Sequence, residues 1–196
     1  MVHFILRGLC RLILKLFFQF EAFGKENIPK EGGFILASNH VSYIDPVAVG
    51  SAANRRISYM AKQDLFSSKF YTWLLYQVGA FPVKRETSDI SALKEAIKRV
   101  RKGGGLLLFP EGRRLNLGEN EIEPEAGVGF LAEKLNVPVI PVHVKGTDIA
   151  WPKGAKKIKT TKISVTFGKQ MYWDKDKSYE DIAGSIMESV RQLSCQ

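Results

Sequence analysis

The chain has 196 residues, of which 45% are hydrophobic and 25% charged, as expected for one globular domain of ordinary size. Its formal charge of +9 favours an anionic partner, such as a lipid surface, a phosphorylated ligand or nucleic acid. We find no zinc-ligand spacing, aromatic RNA-binding signature or helix-turn-helix pattern, so nucleic acid is the least favoured of these. Cys10 and Cys195 lie near opposite termini, which excludes a disulfide framework and favours a reducing compartment.

The first predicted element is an amphipathic helix over residues 2–20. Its apolar residues cover a broad face, while Arg7, Arg11 and Lys15 recur every four residues and form a basic stripe. These cations interrupt the apolar run before it reaches the ~18 residues of a spanning helix, and the segment lacks the cleavage site of a secretory signal. A helix that lies in the membrane interface would account for both the apolar face and the basic stripe. The alternative is a helix that packs on the protein's own core. We therefore assign 1–23 to a membrane-interface segment and 24–196 to one further domain.

Beyond a polar connector at 24–33, short apolar runs alternate with helical patterns. This alternation predicts an α/β fold with parallel strand pairs, in which ligands bind beyond the strand ends. The predicted strands are 34–38, 57–60, 80–83, 106–109, 139–144 and 162–167, and the predicted helices are 46–53, 65–78, 88–102, 128–135 and 179–193. The helix at 65–78 is apolar nearly all round, which is typical of a buried core helix; the alternatives are a helix that lines an apolar groove or one that touches a bilayer.

The first polar cluster is Asn39-His40-Val41-Ser42-Tyr43-Ile44-Asp45-Pro46. A histidine can remove a proton from an alcohol, and a carboxylate on its other ring nitrogen would fix the tautomer. On a regular helix His40 and Asp45 would point apart, so their pairing requires a turn between a strand and a helix that starts at Asp45-Pro46. The alternative is that Asp45 only caps the helix and His40 is a loop residue. His143 and Asp148 share the spacing, but His143 lies in an apolar strand pattern and is interpreted as structural.

Cations follow two further predicted strands. Lys84 and Arg85 come after one, and Arg113 and Arg114 come after the other, just beyond Gly112. Arginine binds phosphate through two hydrogen bonds and lysine supplies a compact charge, while glycine allows the backbone to approach a ligand closely. Either pair alone would be an ordinary surface feature. Together with His40 and Asp45 they predict a shared phosphate-and-base site.

Several catalytic motifs are absent from the sequence. There is no Gly-x-Ser-x-Gly elbow, neither cysteine lies in an activating motif, and there is no glycine-rich nucleotide loop. A covalent enzyme intermediate therefore has no evident nucleophile. We expect direct attack by an acceptor hydroxyl, with no bound cofactor and no metal.

Residues 32–168 resemble the glycerolipid acyltransferase family, in particular the bacterial 1-acyl-sn-glycerol-3-phosphate acyltransferases. Four blocks in the expected order carry the resemblance, and their combination is far more specific than any one of them. They are Asn39-His40-x4-Asp45-Pro46, Gly79-Ala80-Phe81-Pro82-Val83-Lys84-Arg85, Phe109-Pro110-Glu111-Gly112-x-Arg114 and Val137-Pro138-Val139-Ile140-Pro141-Val142.

The resemblance implies a mixed, largely parallel sheet flanked by helices and preceded by a membrane-docking segment. It also implies roles for nine residues. These are His40 as general base and Asp45 as its orienting partner, Lys84, Arg85, Arg113 and Arg114 as the cations for the acceptor's phosphate, and Asn39, Glu111 and Gly112 in the acceptor pocket. Arg113 stands where the family usually has Thr, so which of the two arginines binds phosphate stays open.

The implied reaction moves a fatty acyl group from acyl-CoA or acyl carrier protein to the sn-2 hydroxyl of lysophosphatidic acid, giving phosphatidic acid. The enzyme would sit on the anionic, cytoplasmic face of the cell membrane as a peripheral or monotopic protein. Two alternatives are open. One is a different acceptor, glycerol-3-phosphate or another lyso-lipid; the other is a non-catalytic protein that binds anionic lipid.

Overall fold

The computed structural model describes residues 2–84, 89–116, 119, 122–173 and 176–195. Helices and strands alternate through most of this part of the chain, as the sequence predicts. The elements are α1 (Val2–Phe18), β1 (Glu21–Phe23), β2 (Phe34–Ser38), α2 (Asp45–Ala52), β3 (Ile57–Lys62), α3 (Lys69–Gln77), β4 (Ala80–Val83), α4 (Ile90–Arg101), β5 (Gly105–Leu108), α5 (Ala126–Leu135), β6 (Val139–Lys145), α6 (Thr147–Ala150), β7 (Ser164–Phe167) and α7 (Tyr179–Gln192).

Within the described ranges the strands form one seven-stranded sheet in the order β1-β7-β6-β2-β5-β3-β4. Only the β6–β7 pair is antiparallel, and every other neighbouring pair is parallel. The predicted mixed, largely parallel sheet flanked by helices is confirmed. Strand β5 lies between β2 and β3, so the loops after β2 and β5 leave the same edge of the sheet side by side.

The central strand β2 is buried on both faces of the sheet, and its side chains alternate between two cores. Phe34 and Leu36 point into a cluster that includes residues of α1 and α2. Ile35 and Ala37 point into a second cluster, formed with α4, α5 and α7. The helices therefore cover the sheet in two layers, with α1 and α2 on one side and α4, α5 and α7 on the other.

Helix α1 packs on the protein with one side and exposes the other side to solvent. Leu14 and Phe18 are buried against the protein, and the Arg7 guanidinium donates a hydrogen bond to the Ala53 carbonyl at the end of α2 (3.3 Å). The outer side of the helix remains strongly apolar and keeps Arg11 and Lys15 exposed. Its exposed large side chains are Val2, Phe4, Ile5, Leu9, Leu12, Ile13, Leu16 and Phe17. No helix within the described ranges combines the length and apolar character that crossing a bilayer requires.

The structure differs from the prediction at three elements. The helix predicted at 65–78 begins only at Lys69, where the Ser68 hydroxyl accepts the Tyr71 N–H, and the core-helix interpretation is wrong because none of its residues is buried. β1 was not predicted because three residues are too short for a hydrophobic period to be recognised. The single turn α6 was missed for the same reason.

Candidate active site

Two loops that leave adjacent parallel strands form the candidate site. His40 follows β2, and the segment from Phe109 to Arg114 follows β5. The two loops are tied together, since the Leu115 N–H donates to the His40 carbonyl oxygen at 2.8 Å. This backbone bond places Arg114 next to the turn that contains His40.

The turn after β2 brings His40 and Asp45 together. Their Nδ1 and Oδ2 atoms lie 2.9 Å apart, and the same carboxylate oxygen accepts the N–H groups of Val41 (2.8 Å) and Ser42 (2.7 Å). Asp45 begins α2 with Pro46 after it, but the residue in the capping position is Ile44. The carboxylate thus closes the turn in front of the helix instead of capping the helix itself.

This arrangement fixes the histidine ring. Asp45 is fully buried, and the His40 ring stacks on Phe109 with centroids 3.9 Å apart and planes 18° apart. A neutral imidazole that donates from Nδ1 to a carboxylate carries its lone pair on Nε2. The geometry therefore prepares Nε2 to accept a proton and Asp45 to stabilise the resulting imidazolium.

Glu111 supports His40 from the other side. Its Oε2 accepts the His40 backbone N–H at 2.6 Å, and the residue is 4% exposed. Burial raises the pKa of Glu111 to about 8; the His40 N–H opposes this shift and the negative Asp45 adds to it. Around neutral pH the carboxyl group is thus mainly protonated, and one of its oxygens still accepts the His40 N–H.

Gly112 shapes the loop after β5. Its φ is +65°, and a Cβ at this position would lie 2.6 Å from the Glu125 carboxylate. The Gly112 N–H bonds the Phe109 carbonyl at 2.9 Å. Gly112 is therefore needed for a tight turn against Glu125, and its place in the acceptor pocket stays a prediction.

The two arginines after Gly112 differ in their surroundings. Arg113 is exposed and paired with Glu119 through Nη1 and Oε2 at 2.9 Å. Arg114 places its guanidinium carbon 3.4 Å from the centre of the Tyr43 ring, and its buried Nη1 has no hydrogen-bond partner in the described part of the chain. Because Tyr43 belongs to the His40 turn, Arg114 is the arginine that packs against this turn.

The other predicted cations lie farther away or outside the described residues. Lys84 follows β4, the edge strand, which is separated from β2 by β5 and β3. With ~4.8 Å between neighbouring strands, the strand end that carries Lys84 lies roughly 14 Å across the sheet from the one that carries His40. The Lys84 side chain is exposed and its backbone N–H bonds Asp89. Arg85 lies outside the described residues.

The Asn39 side chain forms hydrogen bonds with the backbone of β6. Its amide donates to the Val144 carbonyl (2.9 Å) and accepts the Val144 N–H (2.8 Å), so the side chain extends the pairing of β2 with β6. Asn39 and Glu111 both line a cavity of about 310 Å³, together with His143 and apolar residues of α7. This cavity borders the backbone of the His40 turn.

His143 lies in an apolar strand, as its sequence pattern predicts. It lies within β6, and burial lowers its pKa. The hydrogen bond between His40 and Asp45 has no counterpart between His143 and Asp148 in the described residues. The shared spacing of the two pairs is therefore coincidental.

Sequence reasoning missed the aromatic and hydroxyl groups that complete the site. Phe109 stacks on the His40 ring. The Tyr43 ring packs against the Arg114 guanidinium and lies near the Trp151 ring, with ring centroids 5.2 Å apart. Ser42 is buried and donates to the Trp151 carbonyl at 2.6 Å. Ser42 and Tyr43 lie in the sequence between His40 and Asp45. This position was the one feature of the sequence that could have indicated their place in the site.

Comparison with known proteins gives concordant matches. Residues 19–145 match the family model described as Acyltransferase. The 1-acyl-sn-glycerol-3-phosphate acyltransferase of Bacillus subtilis (strain 168) is 28% identical over 83% of this chain and 78% of its own length. The enzyme of that name from Streptococcus pneumoniae is 30% identical over 74% of this chain, which spans only 55% of that relative.

A solved structure supports the same relationship at the level of the fold. The crystal structure of the 1-acyl-sn-glycerophosphate (LPA) acyltransferase from Thermotoga maritima matches 99% of this chain and 82% of its own chain, with a TM-score of 0.80 and 23% identity. The family match covers more than half of the chain, including the His40 turn and the loop after β5. The chain therefore belongs to the acyltransferase family.

Proposed function

We propose that this protein transfers a fatty acyl group from acyl-CoA or acyl carrier protein to the sn-2 hydroxyl of lysophosphatidic acid, giving phosphatidic acid. The observation that supports this most is the His40–Asp45 pair, joined at 2.9 Å and placed beside Arg114 at one edge of the sheet. A base next to a cation suits an acceptor that carries both a hydroxyl and a phosphate. The names of the bacterial relatives specify the same acceptor.

In the proposed reaction, His40 Nε2 removes the proton of the sn-2 hydroxyl as its oxygen attacks the thioester carbonyl. The new C–O ester bond forms and the C–S bond breaks. The proton then passes from the imidazolium to the departing thiolate, which leaves as the free thiol. Asp45 stabilises the intermediate imidazolium, and proton transfer by a positioned base typically contributes about 10²–10⁴ in rate.

Arg114 is the proposed ligand of the acceptor's phosphate. Its guanidinium is oriented by the Tyr43 ring and lies beside the His40 turn, whereas Arg113 is held by Glu119. A guanidinium forms two parallel hydrogen bonds with a phosphate, which fixes the acceptor's orientation as well as its affinity. We propose that no covalent acyl-enzyme and no bound cofactor take part.

The proposed location is the cytoplasmic face of the cell membrane, with α1 lying in the interface. The outward side of α1 exposes Leu9, Leu12 and Leu16 by half or more of their surface, next to the cations Arg11 and Lys15. Such a helix buries its apolar side among acyl chains and keeps its cations at the anionic head groups. A lipid acceptor would then reach the site from the bilayer.

The experiment that tests the function is product analysis by mass spectrometry. The purified chain is incubated with lysophosphatidic acid, glycerol-3-phosphate and a neutral lyso-lipid, each with acyl-CoA or acyl carrier protein bearing one labelled acyl group. We expect labelled phosphatidic acid as the main product. Preferential acylation of glycerol-3-phosphate would show that it, and not lysophosphatidic acid, is the acceptor. An absence of product with every combination of acceptor and acyl donor would favour the lipid-binding alternative.

A further inference from the structure

An exposed, lysine-rich segment lies beside the candidate site. Residues 153–162 contain five lysines, Lys153, Lys156, Lys157, Lys159 and Lys162, and residues 149–173 contain no acidic residue at all. Of the five, Lys162 forms an ion pair with Glu21 (2.8 Å), and the described residues contain no ion pair for the others. The segment is almost wholly exposed, so these charges face solvent.

This lysine segment (153–162) is attached at its start to the turn that holds His40. The buried Ser42 hydroxyl bonds the Trp151 carbonyl, and Ser42 also forms a β-bridge with Pro152. The segment is folded back on itself, because the Lys159 N–H bonds the Ala150 carbonyl at 2.9 Å and the Trp151 indole bonds the Ala155 carbonyl at 3.1 Å. The backbone that carries these lysines is thus held next to the site.

At its other end the lysine segment reaches α1. The Ile163 N–H donates to the Phe18 carbonyl in the last turn of α1 at 2.9 Å, and the Glu21 N–H donates to the Ile163 carbonyl at 3.1 Å. Ile163 and Phe18 belong to the same buried cluster. The lysine segment therefore joins the membrane helix of the proposed function to the His40 turn, on one side of the sheet.

The segment also carries exposed apolar side chains. Ile158 stands among the lysines and Ile149 just precedes them, and both are 56% exposed. The phosphates of a soluble acyl donor would need the cations alone, whereas a bilayer also receives apolar side chains between its head groups. Continuity with the apolar side of α1 favours the bilayer further.

We propose that the lysine segment is a second membrane contact, which binds anionic lipid head groups immediately beside the active site. The proposal rests on the proposed function and adds a surface to it. If α1 were the sole membrane contact, the protein could rotate about the axis of that helix on the membrane surface. A second contact would fix this rotation and orient the site toward the lipid. It also raises the local concentration of an anionic acceptor near His40.

The test compares two triple variants of the full chain. Lys156→Gln/Lys157→Gln/Lys159→Gln changes the lysine segment, and Lys94→Gln/Lys98→Gln/Lys102→Gln removes the same charge from exposed positions at α4, on the opposite side of the sheet. Binding is measured by sedimentation with vesicles of phosphatidylcholine alone or mixed with phosphatidylglycerol. Acyl transfer is measured in neutral detergent and, separately, on the same vesicles.

We expect the segment variant to bind mixed vesicles roughly 100-fold more weakly at an ionic strength of about 0.1 M, or roughly five-fold per lysine. The α4 variant should change less than roughly three-fold, since its charges lie more than a Debye length of about 10 Å from the bilayer. In detergent the segment variant should keep its turnover and its KM values. Equal losses in both variants, or no loss in either, would overturn the proposal.

Other results separate this proposal from its competitors. A raised KM for acyl-CoA or for acyl carrier protein in detergent, confined to the segment variant, would assign the lysines to the donor and overturn the membrane contact. If the wild-type chain makes no phosphatidic acid under any condition but binds mixed vesicles through these lysines, the proposed function fails while the surface stands.

Discussion

The buried carboxyl group of Glu111 accepts the backbone N–H of His40 at 2.6 Å, across 71 positions of sequence. One loop of the sheet thus fixes the peptide of the base that stands on the neighbouring loop. Asp45 fixes the ring of the same residue at 2.9 Å. His40 is held both at its main chain and at its side chain, which is the preorganisation that a general base requires.

The first prediction concerns this backbone support. Glu111→Gln keeps an oxygen that accepts the His40 N–H, so we expect kcat within about five-fold of the wild-type value. Glu111→Leu removes the acceptor and leaves the buried His40 N–H unpaired, which destabilises this backbone position by about 1–3 kcal/mol. Because His40 is then no longer held in its reactive position, we expect kcat to fall about 10- to 100-fold. Steady-state kinetics of both folded variants check this. Equal kcat for the two would show that the hydrogen bond does not position the base.

A second prediction concerns stability against pH. The folded pKa of Glu111 is about 8 and its ordinary value is 4.5, so between these values the folded state keeps a proton that the unfolded state has lost. Its contribution to the free energy of unfolding therefore decreases as pH rises through this window, with a limiting slope of about 1.4 kcal/mol per pH unit. Urea unfolding across the window should show Glu111→Gln gaining stability relative to wild type as pH rises. Parallel pH curves would contradict the raised pKa.

The third prediction separates the two arginines. Arg114→Gln should raise the KM for lysophosphatidic acid about 10- to 100-fold, because a charge-assisted bond to phosphate contributes about 1.5–3 kcal/mol. Arg113→Gln is the matched control, and we expect it to change KM less than about three-fold because Arg113 is exposed and bound to Glu119. Initial rates over a range of acceptor concentrations provide the measurement. The reverse order of effects would assign the phosphate to Arg113.

The fourth prediction concerns the outward side of α1. Leu12→Asp/Leu16→Asp should abolish most sedimentation with anionic vesicles, since each change removes an exposed apolar side chain and adds a negative charge. Ile90→Asp at α4 is the control, because Ile90 is 64% exposed on the opposite side of the sheet. The free energy of unfolding should change little in either variant. Similar loss of vesicle binding in both would argue against a specific role for α1.

The sequence was sufficient to predict the contact between His40 and Asp45, because the local chain determines their geometry. An apolar strand ends at Ser38, and Asp45-Pro46 starts a helix, so the residues between them must turn. The contact between His40 and Asp45 is formed within this turn, and the same Asp45 oxygen accepts the N–H groups of Val41 and Ser42. The largely parallel sheet was predictable for a similar reason, since the alternation of strands and helices is a local pattern.

The positions of the cations were not predictable in this way, because chain order does not give strand order. β5 inserts between β2 and β3, which brings Arg114 next to His40 and leaves Lys84 at the sheet edge. The bond from His40 to Glu111 depends on the same insertion. The sequence also left open whether α3 is buried or exposed, because an apolar pattern reports hydrophobicity and not what covers it.

The central claim is that the imidazole of His40 removes the proton of the acceptor hydroxyl, and turnover by a folded His40→Gln variant tests it most directly. Circular dichroism and urea unfolding establish that the variant is folded, and mass spectrometry measures the phosphatidic acid formed from lysophosphatidic acid and acyl-CoA or acyl carrier protein. We predict a loss in kcat of about 10²–10⁴ with little change in the KM for the acceptor. Wild-type turnover by the folded variant would contradict the claim.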